Sequence, residues 1–288
     1  MGATSQRDPA QATQWQTTRF RIDLTRPKVM GIVNVTPDSF SDGGQHAGTS
    51  AALAHCEKLL REGADILDIG GESSRPGADP VPMDEELARV LPVLRGALTL
   101  GVPVSLDTYK AQVMRAALDL GVDIVNDIAA LRMPGALDVV SQHTSCGVCL
   151  MHMQGEPKSM QAAPSYTDVV AEVAAFLRNR AQCLRLHEVA PDRIVLDPGY
   201  GFGKSPEHNF SLLARQQDVV ALGYPVLAGW SRKSSLGVLT GRDASQRLVA
   251  SVAAALAAVQ KGARIVRVHD VAETVDALKV WEAARLPG

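Results

Sequence analysis

Eight apolar runs of strand length, rich in Val, Ile and Leu, recur along the chain, and nearly every one finishes on a polar residue. In order they read VMGIVNVTPD (29–38), ADILDIGGESSRPG (64–77), VPVSLDTYK (102–110) and VDIVNDI (122–128). Then come GVCLMHM (147–153), IVLDPGYGFGK (194–204), PVLAGWSRKSS (225–235) and RIVRVHD (264–270). Near-continuous apolar character marks strands covered on both faces. Helical patterns separate them: 50–61 ending at Gly63, 84–100, 110–120 before Gly121, a short helix after Pro134, 167–187, 206–222, 244–261 and 271–286. The second opens on Asp84, Glu85 and Glu86 and is followed by Gly101, as the helix dipole and the left-handed cap favour. Strict alternation with short connections predicts parallel strands and right-handed crossovers. The expected fold is α/β, a (β/α)8 TIM barrel; the alternative, a doubly wound open sheet, lacks a G-x-G-x-x-G after the first strand. Residues 27–288 form this single domain. Residues 1–26 read as a loose N-terminal extension, its end (20–23) beginning a short hairpin at the barrel bottom.

A strand buried on both faces has no reason to end in Asn34, Asp107, Asn126, Asp197, Lys233 or Arg267. A barrel supplies one, because its catalytic groups gather at the C-terminal strand ends. Asp107, Asn126 and Asp197 together suit a flat heterocycle with several N–H donors, such as a guanidine-like pyrimidinone edge. Alone, each Asp is equally a cap for the loop after it. Arg267 and His269 share one face of the last strand, and Lys233 follows the seventh. Barrels commonly hold phosphate in that region, and a helix starting near Ser234 adds backbone amides; a surface salt-bridge cluster is the competing reading. Two loops, 36–48 and 70–82, are rich in Gly, Pro, Ser and Asp and are expected to be mobile lids at the mouth. Arg75 in the second is placed to reach an anion on closure. Asn34 and Asp38 offer oxygen ligands to a hard cation such as Mg²⁺, which needs few protein donors. No His/Cys cluster points to zinc and no Gly-x-Ser-x-Gly elbow is present.

Bulk composition narrows the class. The 288 residues are 46% hydrophobic but only 4% aromatic, so the core is aliphatic. Twenty-nine Lys and Arg nearly balance 31 Asp and Glu, and a net charge of −2 argues against nucleic acid as the main partner. The longest apolar stretch, 248–259, falls short of the roughly 20 residues that span a bilayer, so no membrane role is expected. Residues 1–19 are polar and lack a signal-peptide core, which makes the cytoplasm the expected compartment. Cys146 and Cys149 form a C-x-x-C inside a predicted strand, where odd spacing sends the thiols to opposite faces; they are expected to be buried core groups.

The stretches MGIVNVTPDSFSDGG (30–44), GADILDIGGESSRPGA (63–78), VSLDTYK (104–110), DIVNDI (123–128), MHMQGEP (151–157), LDPGYGFGKS (196–205), GWSRKSSLG (229–237) and RVHD (267–270) resemble dihydropteroate synthases, in order, from about residue 28 onward. The resemblance implies condensation of 6-hydroxymethyl-7,8-dihydropterin diphosphate with 4-aminobenzoate, releasing pyrophosphate. Asp107, Asn126, Asp197 and Lys233 match the positions that grip the pterin, Asn34 the asparagine associated with Mg²⁺, and Arg267 with His269 the diphosphate anchor. Ser74, Arg75 and Ser234 match the aminobenzoate side. Met151, Phe202 and Gly229 are expected beside substrate, and Asp38, Phe40 and Pro76 on the two loops. Ser74 stands where the family usually has threonine, so a hydroxyl is kept and a methyl lost. A homodimer is implied, and an apolar patch of Val252, Ala255, Leu256, Val275, Leu278 and Trp281 is either core or dimer surface. Two other readings share part of the pattern: a pterin-binding methyltransferase, which lacks the diphosphate machinery, and a non-catalytic barrel subunit, which is expected to lose site residues.

Overall fold

Period-two alternation along the strands sorts side chains into an inner and an outer set, and the sheet closes on itself around the inner one. The computed structural model describes residues 12–35, 44–73, 75, 77–156 and 158–284. Two short strands, β1 (Gln14–Gln16) and β2 (Arg21–Asp23), precede the barrel strands β3 (Lys28–Asn34), β4 (Ile66–Gly70), β5 (Val104–Asp107), β6 (Ile124–Asp127), β7 (Gly147–Met151), β8 (Ile194–Asp197), β9 (Val226–Ala228) and β10 (Ala263–Val268). All eight barrel strands run parallel, and β10 pairs with both β9 and β3 to close the ring. The helices are α1 (Gly44–Arg61), α2 (Met83–Ala97), α3 (Ala111–Asp119), α4 (Ala136–Gln142), α5 (Val169–Leu186), α6 (Pro206–Ala214), α7 (Gln217–Val220), α8 (Ser234–Thr240), α9 (Leu248–Gln260) and α10 (Val271–Ala283).

Outward residues such as Val33, Leu67, Leu106, Val148, Leu196 and Val266 pack under the helices in two large clusters. Inward, every strand except β5 contributes one apolar residue to a single floor: Met30, Ile66, Ile124, Cys149, Val195, Leu227 and Ile265. Cys149 faces this floor while Cys146 sits in the outer cluster, so the two thiols point to opposite sides.

The segment read as a loose extension is instead built into the barrel from residue 12 onward. Antiparallel β1 and β2 set Trp15 opposite Ile22, and Trp15, Ile22 and Leu24 close the floor from below. The indole Nε1 donates to the Arg193 carbonyl at 2.9 Å, and Arg19 pairs with buried Asp123 at 2.6 Å. Three-residue strands flanked by Gln and Thr carry almost no periodic signal, which is why only the final part of the hairpin was legible. The predicted helix 206–222 also breaks, into α6 and α7. At the break Gln216 is buried, accepting from the Tyr200 hydroxyl at 2.9 Å and donating to the Ala258 carbonyl at 2.8 Å. The helix expected at 244–261 begins only at Leu248, after a 3₁₀ turn over Ala244–Gln246.

The apolar patch read on the last helices divides: part of it is core, and Val252 is half-buried outside the core clusters. Ala255 and Leu278 are buried, and Val275, Leu256 and Trp281 pack against the outer cluster. The large apolar side chains left exposed are others, among them Val238, Leu239, Val249 and Val280. No described helix is long and apolar enough to cross a membrane.

Candidate active site

Two residues above the floor, the inward positions change character. Asp68 on β4, Asn126 on β6, Asp197 on β8, Gly229 just past β9 and Arg267 on β10 all face the interior near the C-terminal rim, with Asp107 ending β5 beside them. Arg267 is the hub of one half. Its Nε donates to Asp68 Oδ2 at 2.6 Å and its Nη2 to Asp107 Oδ2 at 2.7 Å. Asn126 Nδ2 donates to the same Asp68 oxygen at 3.2 Å. Burial works against the Arg267 cation, but Asp68 and Asp107 overcome it and hold the guanidinium firmly charged. Burial also pushes the Asp107 carboxyl up, to about 7, with Arg267 pulling the other way.

Asp197 and Lys233 organise the other half. Asp197 Oδ1 accepts from the Gly199 N–H at 2.7 Å, and burial raises this carboxyl to about 6 against that bond and the nearby Lys233. The Lys233 ammonium lies 4.0 Å from the centroid of the Phe202 ring. Burial lowers its pKa to about 8, with Arg267 adding to the effect and Asp197 opposing it. Phe202 packs with Met151, Ile128, Met153 and Met160 in a small apolar cluster on this side of the mouth. At Gly229 a methyl group would meet no heavy atom within 4 Å, so the backbone there borders open space. The mouth thus pairs carboxylates and an amide with an apolar shelf, a combination suited to a flat polar ring.

His269 sits next to this group. Its Nδ1 is 3.0 Å from Ser231 Oγ, and its own N–H donates to that oxygen at 3.2 Å. Burial, followed by the Arg232 and Arg267 cations, lowers its pKa to about 3. It is therefore a neutral hydrogen-bonding group here, and the cations near it at the mouth are Arg267, engaged by Asp68 and Asp107, and Lys233. Ser234 opens α8 and is exposed. Arg75 is exposed on the second loop, while Ser74, Pro76, Asp38 and Phe40 lie outside the described residues. The base of the second loop is tied. Glu72 accepts from Tyr109 at 2.7 Å and from the Val81 N–H at 3.2 Å, and pairs with Lys110; Arg89 donates to the Gly71 carbonyl at 2.7 Å.

Asn34 ends β3 with its side chain exposed at the rim. Among the described residues no three His, Cys, Asp or Glu side chains cluster as a metal cage. An amide oxygen at the rim fits a metal held mostly by water and substrate oxygens, the usual manner of Mg²⁺.

Two buried residues escaped the reading of strand ends. Asp68 lies one inward step below the rim, inside ILDIG; its parity with Ile66 was the available signal. One of its oxygens, Oδ1, is buried without a hydrogen-bond partner among the described residues. Lys204, at the end of the loop after β8, is only 2% exposed, and nothing in its sequence context marks it as interior.

Comparison with known proteins identifies the family of the chain. A family model described as pterin binding enzyme covers residues 30–269. A dihydropteroate synthase of Neisseria meningitidis serogroup C is 57% identical over 273 residues, spanning 93% of this chain and 96% of its own length. A structure of Xanthomonas albilineans dihydropteroate synthase with 4-aminobenzoic acid superimposes with a TM-score of 0.90 at 52% identity, over 96% of this chain and all of the other. The Burkholderia cenocepacia enzyme complexed with 7,8-dihydropteroate gives 0.87 at 51% identity, over 96% of this chain and 97% of that one. With likeness of this depth over nearly its whole length, the chain belongs to the dihydropteroate synthase family of pterin-binding enzymes.

Proposed function

We infer that the barrel mouth joins 6-hydroxymethyl-7,8-dihydropterin diphosphate to 4-aminobenzoate, giving 7,8-dihydropteroate and pyrophosphate. The observation that carries this reading is the convergence of Asp107, Asn126, Asp197 and Lys233 on one end of the barrel, beside an Arg267 already held in place by two carboxylates. Related enzymes of this family have been crystallised with 4-aminobenzoic acid and with dihydropteroate.

In this reading Asp197, Asn126 and Asp107 receive the N–H edge of the pterin, Lys233 donates to its acceptor side, and Phe202 with Met151 forms the shelf under the ring. Gly229 leaves room for the ring to lie close to the backbone. The bond between the pterin methylene and the diphosphate oxygen breaks with its electron pair leaving on the diphosphate. Arg267 and Lys233 stabilise that developing charge, and neutral His269 contributes a hydrogen bond. The carboxylates Asp107 and Asp197 favour the positive charge left on the pterin methylene. The amine nitrogen of 4-aminobenzoate then attacks that carbon and releases a proton to solvent. An aromatic amine is unprotonated near neutral pH, so no side chain has to serve as its base. Arg75, Ser74 and Ser234 are assigned to the aminobenzoate carboxylate. Asn34, with Asp38, would hold a Mg²⁺ whose charge neutralises the leaving diphosphate.

The test is pyrophosphate release, measured with and without 4-aminobenzoate. Release that requires both substrates is the expected result. No release from folded protein supplied with both substrates and Mg²⁺ overturns the assignment.

We also propose that the chain pairs with a second copy through the face shared by α8 and α9. There Val238, Leu239 and Val249 are 70%, 68% and 77% exposed. Isolated exposed apolar residues need no explanation, but neighbouring ones on two packed helices resemble the centre of an interface. Sedimentation velocity should find a dimer that Val249→Glu converts to a monomer; a wild-type monomer at assay concentration contradicts the pairing.

A further inference from the structure

Lys204 is one of the largest fully buried side chains in the protein. Its ammonium has four acceptors within hydrogen-bond reach of its three N–H donors: the carbonyls of Gly199 at 2.9 Å, Phe202 at 3.1 Å and His152 at 3.3 Å, and His152 Nδ1 at 2.9 Å. None is a carboxylate. Burial is costly for a cation and lowers the Lys204 pKa to about 7; the carbonyl dipoles around the ammonium favour its charged form, and it in turn satisfies them.

Those dipoles converge because of how the loop 197–204 is folded. Gly199, Gly201 and Gly203 all have positive φ, 68°, 81° and 61°. A methyl group on Gly199 would lie 1.9 Å from the His152 carbonyl oxygen, and one on Gly203 would lie 2.3 Å from that of Gln154. The loop is thus pressed flat against the chain leaving β7, and three carbonyl oxygens point at one spot. Without a donor there, they repel. His152 is prepared for its part: burial and then the Lys204 charge lower its pKa to about 2, leaving a neutral ring that can accept at Nδ1.

Two features of the pterin half of the site depend on this loop. The Gly199 N–H fixes Asp197 Oδ1, and Lys204 holds the carbonyl of the same residue, in the next peptide unit, so the orientation of the carboxylate follows how Gly199 is placed. The Phe202 ring lies under Lys233, and the carbonyl of that same residue is a second Lys204 acceptor. Asp197 also faces the Lys204 ammonium electrostatically, as does Lys233 with opposite effect. Among the described residues the start of α8 has no bond to the Lys204 ammonium; it meets this loop through Asn209, which accepts from the Gly201 N–H at 2.8 Å and donates to Ser235 Oγ at 2.9 Å.

We propose that Lys204 is a positioning residue for pterin binding: its ammonium gathers the carbonyls of the loop after β8 and thereby orients Asp197 and Phe202 toward the ring. It touches no substrate. This rests on the assignment of Asp197 to the pterin edge. The experiment compares three variants with the wild type, each checked for folding by circular dichroism: Lys204→Met, His152→Phe and Asp197→Asn. Lys204→Met keeps the aliphatic stem and loses the donor. His152→Phe keeps the ring against Phe176, 5.0 Å away between centroids, and loses one acceptor. The KM for the pterin diphosphate should rise about tenfold or more in Lys204→Met and several-fold in His152→Phe, in keeping with the loss of charged hydrogen bonds. The KM for 4-aminobenzoate should stay within about twofold of wild type, since no bond to its side of the site is touched. If Lys204→Met does not fold, His152→Phe carries the same comparison. Unchanged pterin KM in a folded variant, or equal rises for both substrates, overturns the proposal while a weakened Asp197→Asn leaves the site assignment standing. Full pterin affinity in Asp197→Asn overturns the assignment and the proposal together.

Discussion

At the floor of the barrel Met30, Ile66, Ile124, Cys149, Val195, Leu227 and Ile265 meet Trp15 of the hairpin. Two residues further along five of those strands stand Asp68, Asn126, Asp197, Gly229 and Arg267. Both sets point inward, on the same strands, one pleat repeat apart. The floor is packed for burial alone. The mouth places carboxylates where burial raises their pKa, and one Asp68 oxygen finds no partner among the described residues. Stability and chemistry are therefore separated along the barrel axis rather than around it, as the division between the two ends of such barrels leads one to expect.

The separation can be broken from below. Trp15→Ala empties the floor of its largest side chain and should destabilise the fold by about 3–5 kcal/mol in urea unfolding, while turnover per folded molecule stays close to wild type. A large drop in turnover without loss of stability would mean that the hairpin serves the site.

Arg267 is where the separation should fail. Removing it with Arg267→Ala leaves Asp68 and Asp107 as buried carboxylates without their cation, at a cost of about 3–5 kcal/mol in stability as well as lost activity. Adding Asp68→Asn should restore part of the stability but none of the activity. If Arg267→Ala proves neutral in unfolding, the ion pair does not hold the mouth together.

The smallest effect is in pH. Burial raises the Asp197 carboxyl from 3.8 to about 6, so the folded chain holds this proton more tightly than the unfolded chain does. Its contribution to stability is complete below about pH 4 and lost as pH rises through about 6. Pterin binding should slope the other way, because the ionised form accepts N–H donors: affinity should rise about tenfold between roughly pH 5 and 7. Asp197→Asn should remove the part of both slopes centred near pH 6 and leave the part from Asp107, which burial raises to about 7; slopes left unchanged by the substitution assign the titration to another group.

Much of this was legible in the chain because strand bodies and strand ends follow different rules. Asp107, Asn126, Asp197, Lys233 and Arg267 stand at or near the ends of apolar runs, and the fold brings them to one mouth. Asp68 and Lys204 were harder. The first hides inside an apolar run, and only inward parity with Ile66 betrays it. The second becomes interior through the three left-handed glycines before it, a tertiary outcome that no local periodicity encodes. The hairpin strand Gln14–Gln16 was missed for the opposite reason, since one Trp among Gln and Thr looks like a polar tail until the floor it fills is known. The direction of Arg267 toward two carboxylates, rather than outward toward a free anion, also depends on pairing across strands that are distant in sequence.

The division between floor and mouth is tested most directly by one paired measurement, urea unfolding and pterin titration on Asp197→Asn beside Leu227→Ala. Asp197→Asn should lose roughly 2–4 kcal/mol of pterin affinity, the worth of a buried charged hydrogen bond, with its unfolding midpoint unchanged or raised. Leu227→Ala should lose about 2–5 kcal/mol of stability and bind pterin as the wild type does. An Asp197→Asn protein that binds pterin normally but unfolds as early as Leu227→Ala would contradict the account.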